Sequence, residues 1–196
     1  MDFCSVFPLF LLAQIWKTVG LQVGGIDDYT LTLIGSLGSI ANGLGRLFWG
    51  PVQDKTSFLF VYKTVLSIEL VVCLSLYWSV HVSPLLYAII IFFGFMCLGA
   101  HFVMFPGLIV KVFGMRAGGQ LYSILYIAYG ATSILGLVVY KTTTHYFGDQ
   151  GNYYVFNVSI GLILVSVGIL FNFFEEKPLT KQSTTSELGL LINEEE

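Results

Sequence analysis

Apolar runs, each about long enough to cross a bilayer, follow one another along this chain with only short polar joints between them. They cover about 3–22, 30–50, 58–80, 83–110, 119–141 and 152–174. A hydrocarbon core of about 30 Å is spanned by roughly 20 apolar helical residues, so the pattern predicts six transmembrane helices. A membrane barrel would alternate apolar and polar residues with period two, and a run such as Leu85 to Phe95 does not. In lipid, backbone N–H and C=O groups must be satisfied within their own segment, which favours helices over open sheets. The expected fold is an all-α six-transmembrane-helix bundle over 1–174. The joints are too short for a soluble domain, and the polar segment 175–196 reads as a disordered tail.

Composition agrees with a membrane fold. Hydrophobic residues make up 56% of the 196 and charged residues 11%, against about 25% charged in an ordinary globular domain. A soluble fold of this size could not hide so much apolar surface. The net charge of −3 comes largely from the tail, where Glu175, Glu176, Glu187, Glu194, Glu195 and Glu196 lie. Cys4, Cys73 and Cys97 each fall inside a predicted span, which suggests small apolar fillers rather than a disulfide framework or a metal site. The opening MDFCSVFPLF carries an acid where a signal peptide carries a base, so a cleaved leader is not expected.

Basic residues orient the chain, because short loops rich in Lys and Arg stay cytoplasmic. Lys55 and Lys63 flank the second joint, Lys111 and Arg116 the fourth, and Lys177 and Lys181 follow the last span. The other side receives chiefly Lys141, with Asp27, Asp28 and Asp149. Both termini are therefore expected in the cytoplasm. The sequence leaves open whether the membrane is the plasma membrane or an endosomal or lysosomal one. Pro84 suits the first turn of the fourth span, Pro106-Gly107 should bend it, and Gly151-Asn152 should break the chain before the sixth.

The most specific stretch is Gly35 to Ser57, GSLGSIANGLGRLFWGPVQDKTS. Gly35, Ser39 and Gly43 recur every four residues and leave one helix face without bulk, inviting close approach by another helix. Asn42, Arg46 and Gly50 recur likewise and form a polar, cationic stripe. A central arginine in lipid costs about 2.5 to 3.5 kcal/mol by insertion scales, so Arg46 should face protein, a water-filled cavity or the headgroups. The polar turn Gly50-Pro51-Val52-Gln53-Asp54-Lys55 follows, where an aspartate could cap the next helix or hold a backbone N–H across a helix pair.

At this turn the sequence resembles the major facilitator superfamily, in which corresponding helices end in G-x-x-x-D-(R/K)-x-G-(R/K). Gly50, Asp54 and Lys55 match, whereas Ser57 replaces the glycine, and Phe58 and Leu59 stand where basic residues are usual. The preceding N-G-L-G-R-L-F-W-G is similar to the oxalate/formate antiporter-type, monocarboxylate-type and nodulin-like branch. The resemblance covers nearly the whole chain as the C-terminal six-helix half of a twelve-helix carrier. It implies solute transport by alternating access, with substrate near the midplane between two six-helix bundles. The implied partners are the lipid bilayer, a small solute and a second six-helix bundle, supplied by a missing N-terminal half or by a homodimer.

Other polar groups add candidates, each with a structural alternative. Arg46 suits an anionic carboxylate, or could pair with a helix end or with Glu69. Lys17, with Gln14 and Trp16, could face the substrate path or snorkel to the outer headgroups. Glu69 lies deep in the third span, where a proton could be carried or a structural partner held. His101 could relay protons or be a hydrogen-bonded core histidine. Tyr122, Tyr126 and Tyr129 fall on one face of the fifth span, which could line an aqueous cavity or simply pack. The branch resemblance implies a second cation in that span for a dicarboxylate carrier, and none appears before Lys141, which argues against a dicarboxylate substrate.

In the tail, Glu187, Leu191 and Ile192 fit an acidic dileucine sorting signal. There is no phosphate-binding Gly-rich loop, paired metal-ligand motif or nucleophile elbow, and basic residues are too dispersed for nucleic acid. The sequence therefore predicts a carrier with no cofactor and no enzyme activity. The competing expectation is a non-transporting membrane partner or inactive carrier fragment with a sorting tail.

Overall fold

The structure is a computed structural model that describes residues 2–148 and 151–173. The tail, with the sorting candidates Glu187, Leu191 and Ile192, lies outside the described residues. Three helices open the chain: α1 (Asp2–Gln22), α2 (Asp28–Lys55) and α3 (Phe58–Val82). The helical stretch Pro84–Phe147 is broken at Gly114, whose backbone (φ 75, ψ 169) is non-helical. It therefore forms two spans, α4 (Pro84–Gly114) and α5 (Gly118–Phe147), and α6 (Gly151–Phe173) follows. A residue with a side chain would be strained at that φ/ψ, and glycine is not.

Short side chains start the helices by taking up backbone N–H groups that the first turn leaves over. Asp27 accepts from the Thr30 N–H at 2.9 Å, and Ser57 accepts from Phe60 at 3.1 Å. Ser83 accepts from Leu85 and Leu86, while Pro84 occupies the first turn of α4, where its missing N–H is no loss. Three joints are thereby reduced to a few residues each, as the hydropathy pattern requires.

Two local expectations are corrected. Gly50-Pro51-Val52-Gln53-Asp54-Lys55 is not a turn, because α2 continues through Pro51 to Lys55 and the reversal falls at Thr56-Ser57. Ser57, not Asp54, caps the next helix. α4 also holds a proline, Pro106, inside its helix, and its non-helical backbone lies farther on, at Gly114.

Four helices, Cys4–Gln22, Phe58–Val82, Pro84–Gly114 and Gly118–Phe147, are long and apolar enough to cross a bilayer. The small and polar residues of α2 make it less apolar than these. Its buried edge is Leu31, Ile34, Gly38, Ala41, Gly45, Trp49 and Gln53. The close approach to α4 uses this edge rather than Gly35, Ser39 and Gly43. A methyl group on Gly45 would collide with the Met96 carbonyl, and one on Gly99 with the Asn42 carbonyl, whereas Gly43 faces open space. Backbone thus lies on backbone at the α2–α4 crossing, an arrangement that small residues permit in membranes.

Aliphatic side chains of α1, α3 and α4 fill the interior, among them Leu9, Ile15, Val65, Leu76 and Ile91. Polar contacts tie the helices at intervals. Gln14 of α1 donates to the Ser133 hydroxyl and carbonyl of α5 at 2.6 and 2.9 Å, and Gln53 of α2 donates to the Met104 carbonyl at 3.1 Å. α6 packs on α1 and α3. On the outside, Leu33, Leu37, Leu44 and Leu47 of α2 and Ile124, Ile127, Ile134 and Val138 of α5 are exposed. The described chain is an all-α membrane bundle.

Candidate functional site

Arg46 projects from the middle of α2 as an exposed side chain, on a helix whose neighbouring exposed residues Leu44, Leu47 and Phe48 are apolar. Its guanidinium carbon lies 4.4 Å from the centroid of the Phe102 ring of α4, a cation–π geometry. The backbone crossing at Gly45 and Gly99 explains how the two meet: it brings the axes of α2 and α4 close just where Arg46 and Phe102 leave them. Among the described residues Arg46 makes no ion pair. Its planar fork of N–H donors therefore remains available for an acceptor.

α5 completes the cluster. Phe102 meets Tyr126 with centroids 5.9 Å apart and Tyr129 edge-on at 5.6 Å. Tyr122 donates its hydroxyl to that of Tyr126 at 2.7 Å, and both rings are partly open. Arg46 is close enough to Tyr126 to act on it electrostatically. Tyr129 differs from its two neighbours. It is buried, packs against Phe10 of α1 at 5.7 Å, and donates a long hydrogen bond of 3.4 Å to the His101 carbonyl. Of the tyrosine face predicted on α5, Tyr122 and Tyr126 open beside Arg46, and Tyr129 holds the cluster to the core.

Asn42, one turn from Arg46 on α2, is half-buried beside Gly99. Gly50 continues the stripe and lies against Val103. The two α1 candidates stand apart from this group. Lys17 reaches Asp28 at 2.8 Å, with both side chains substantially exposed, at the end of the bundle where α2 begins. Gln14 is occupied with Ser133. At the opposite end of α2, Asp54 of the loop motif meets Lys111 at 3.3 Å, while Lys55 is exposed.

Glu69 does not pair with Arg46. It pairs with His101, Oε1 to Nε2 at 2.6 Å, and both side chains are fully buried between α3 and α4. The His101 ring stacks on Phe105 and meets Tyr62 edge-on, and Tyr62 donates to the Ser5 hydroxyl at 3.0 Å. Phe102 and Phe105 were not distinguishable in the sequence from other core aromatics. The only available signal was their i, i+3 spacing beside His101. Among the described residues no group of His, Cys, Asp and Glu could hold a metal ion.

Outside the spans, the carboxyl of Asp27 is held below its ordinary range, first by the backbone N–H of Thr30 that it accepts. It is a helix cap rather than a ligand.

The profile of the Major Facilitator Superfamily matches residues 3–192. The chain is 29% identical over 147 residues to apicoplast pyruvate carrier 1 of Toxoplasma gondii, a match covering 67% of this chain and 26% of that protein. It is 27% identical over 168 residues to apicoplast pyruvate carrier 2 of the same organism, covering 84% of this chain and 25% of that protein. The chain thus spans about a quarter of the length of the curated relatives it matches. No solved structure matches it. With the family profile running over nearly its whole length and six helices arranged as described, this chain belongs to the major facilitator superfamily.

Proposed function

We propose that this chain forms one six-helix bundle of a carrier that moves a small organic anion, a monocarboxylate, across a membrane by alternating access. The observation that carries the proposal is Arg46, an exposed guanidinium without an ion-pair partner among the described residues, set on an aromatic ring and flanked by the exposed apolar residues Leu44, Leu47 and Phe48. Such a group facing lipid is unfavourable by about 2.5 to 3.5 kcal/mol. A solute pathway between this bundle and a second one would supply water and an anion instead.

The roles follow from donor geometry. The Arg46 fork donates two parallel N–H bonds to a carboxylate. Phe102 supports the guanidinium from behind, which limits its rotamers. Tyr122 spends its hydroxyl proton on Tyr126, so the Tyr126 O–H proton is left to donate to a second oxygen of the solute. Asn42 adds an amide at the margin. One cation and a pair of phenols suit one carboxylate with a neighbouring carbonyl or hydroxyl. Pyruvate, which the two Toxoplasma relatives are named for, is a solute of this class, and the branch resemblance agrees with it. The second bundle would cover the exposed apolar residues of α2 and α5, with Asp54 and Lys111 at the rim.

Uptake of labelled pyruvate into vesicles holding the intact protein tests the reading. Concentration-dependent, saturable uptake, competed by other monocarboxylates and weakly by dicarboxylates, is expected. A protein that inserts normally yet moves no solute would instead fit a non-transporting membrane partner.

A further inference from the structure

Trp49 carries a polar atom that the bundle leaves over. Its side chain is only 5% exposed, yet the indole Nε1–H, enclosed by protein, has no hydrogen-bond acceptor among the described residues. An indole N–H can only donate, and a buried tryptophan ordinarily finds a partner for it. Enclosed and unpaired, the group has lost water and gained no acceptor, which is unfavourable relative to any state that supplies one. Phenylalanine would fill an apolar seam without that penalty.

The position of Trp49 narrows the choice of acceptor. It lies on the edge of α2 that packs on α4, between Gly45, which rests on the Met96 backbone, and Gln53, which donates to the Met104 carbonyl. Gly50, the next residue, lies against Val103. The indole is therefore set at the level of the α4 turn that carries Phe102, the ring beneath Arg46. Along α2, Trp49 follows Arg46 by three residues, a rise of about 4.5 Å that puts the two side chains on neighbouring faces one turn apart.

We propose that the Trp49 indole N–H is a specificity-determining donor for the solute, taking the oxygen on carbon 2 of a 2-oxo or 2-hydroxy monocarboxylate whose carboxylate is held by Arg46. The proposal rests on the transport reading above. The two donors suit different oxygens. The charged fork of Arg46 matches the two oxygens of a carboxylate, whereas the single neutral N–H of Trp49 matches one neutral oxygen. In such an acid the carboxyl carbon and carbon 2 are directly bonded, so the carboxylate and the third oxygen fall within reach of two side chains one helical turn apart. Because Nε1 is enclosed here, the bond forms in a state in which the α2–α4 seam beside Phe102 admits the solute. Propionate, of the same chain length, has no third oxygen, and in that seam it would leave the N–H unpaired. The site thereby favours acids oxygenated at carbon 2 over plain alkanoates.

Two measurements on the intact protein in lipid vesicles test this. Ultraviolet resonance Raman spectra read the hydrogen bonding of indole N–H groups, with Trp49 assigned by difference against Trp49→Phe. A second variant, Trp16→Phe/Trp78→Phe, leaves Trp49 as the only tryptophan of this chain and gives the assignment without touching the seam. The expected result is an unbonded N–H that becomes hydrogen-bonded on adding pyruvate and is unchanged by propionate. The second measurement is competition for labelled pyruvate uptake, in which unlabelled pyruvate and lactate should inhibit the wild type at lower concentration than propionate. Trp49→Phe should lose roughly two- to tenfold in apparent affinity for pyruvate, the range of one neutral hydrogen bond, with inhibition by propionate unchanged. An N–H that is bonded before solute is added, or that pyruvate does not move, overturns the proposal. Equal losses for pyruvate and propionate in Trp49→Phe also overturn it and leave Trp49 a packing residue. Should the wild type move no pyruvate, the transport reading fails, and the Raman spectra alone decide the donor role: a change at Trp49 on adding pyruvate but not propionate supports it and none overturns it.

Discussion

The guanidinium of Arg46 sits 4.4 Å above the ring of Phe102, joining α2 to α4 at the level where their backbones cross. The ring does more than fill space. It holds the cation against α4, and in the transport reading above it orients the fork toward the solute. Phe102→Leu keeps the bulk and removes the quadrupole. A cation–π contact at an exposed site contributes about 0.5 to 1 kcal/mol, so apparent affinity for the anion should weaken roughly two- to fivefold. Comparing KM for uptake in the two proteins, with maximal rate little changed, checks this.

The α2–α4 crossing tolerates no side chain at Gly45 or Gly99. Gly45→Ala should destabilise the bundle by about 1 to 3 kcal/mol through overpacking, whereas Gly43→Ala, facing open space, should not. Thermal unfolding midpoints of the two variants in one detergent provide the comparison, and equal midpoints would contradict the crossing.

Much of the architecture could be read in the sequence. The hydrophobic runs pointed to an all-α membrane bundle, and the structure is one, since in lipid a span of apolar residues has few alternatives to a helix. The recurrence of Tyr122 and Tyr126 along α5, and of Asn42 and Arg46 along α2, is the spacing of shared helix faces, and the structure brings Arg46, Phe102 and Tyr126 together. What sequence could not reveal was which faces meet. Glu69 and His101 are separated by 32 positions, and only the α3–α4 packing joins them, so each had to be weighed alone. Gly35 of the small-residue stripe is approached closely by Trp16 of α1, whereas the α2–α4 contact falls on the face of Gly38, Ala41 and Gly45, which keeps as good a period. Gly114 gave no stronger local signal than Pro106, since a proline inside a membrane helix can be accommodated by the packing around it.

Gln14 provides a contrast with Arg46. Its amide ties α1 to α5 through Ser133, and interhelical hydrogen bonds in membranes contribute about 0.6 kcal/mol on average and up to roughly 1.7. Gln14→Leu should therefore lower thermal stability by an amount in this range and leave uptake intact. Loss of uptake at normal stability would return Gln14 to the solute site.

Asp27 yields a pH effect with a definite sign. Its folded pKa lies below the ordinary aspartate value because the carboxylate accepts the Thr30 N–H. Its contribution to the start of α2 is then fully present above that ordinary value and is lost as pH falls through the lower folded one. Hydrogen exchange at the Thr30 amide should show protection that collapses in strong acid. In Asp27→Asn, which can still cap but does not titrate there, the collapse should be absent.

The central claim is that Arg46 binds the carboxylate of the transported solute. Hydrogen bonds to a charged group contribute about 1.5 to 3 kcal/mol, so losing one such interaction corresponds to roughly 10- to 100-fold. The direct measurement is initial-rate uptake of labelled pyruvate by vesicles carrying equal amounts of inserted wild-type and Arg46→Ala protein. A fall of that size in the variant, with partial recovery in Arg46→Lys, is the predicted result. Uptake by Arg46→Ala at the wild-type rate and concentration dependence would contradict the account.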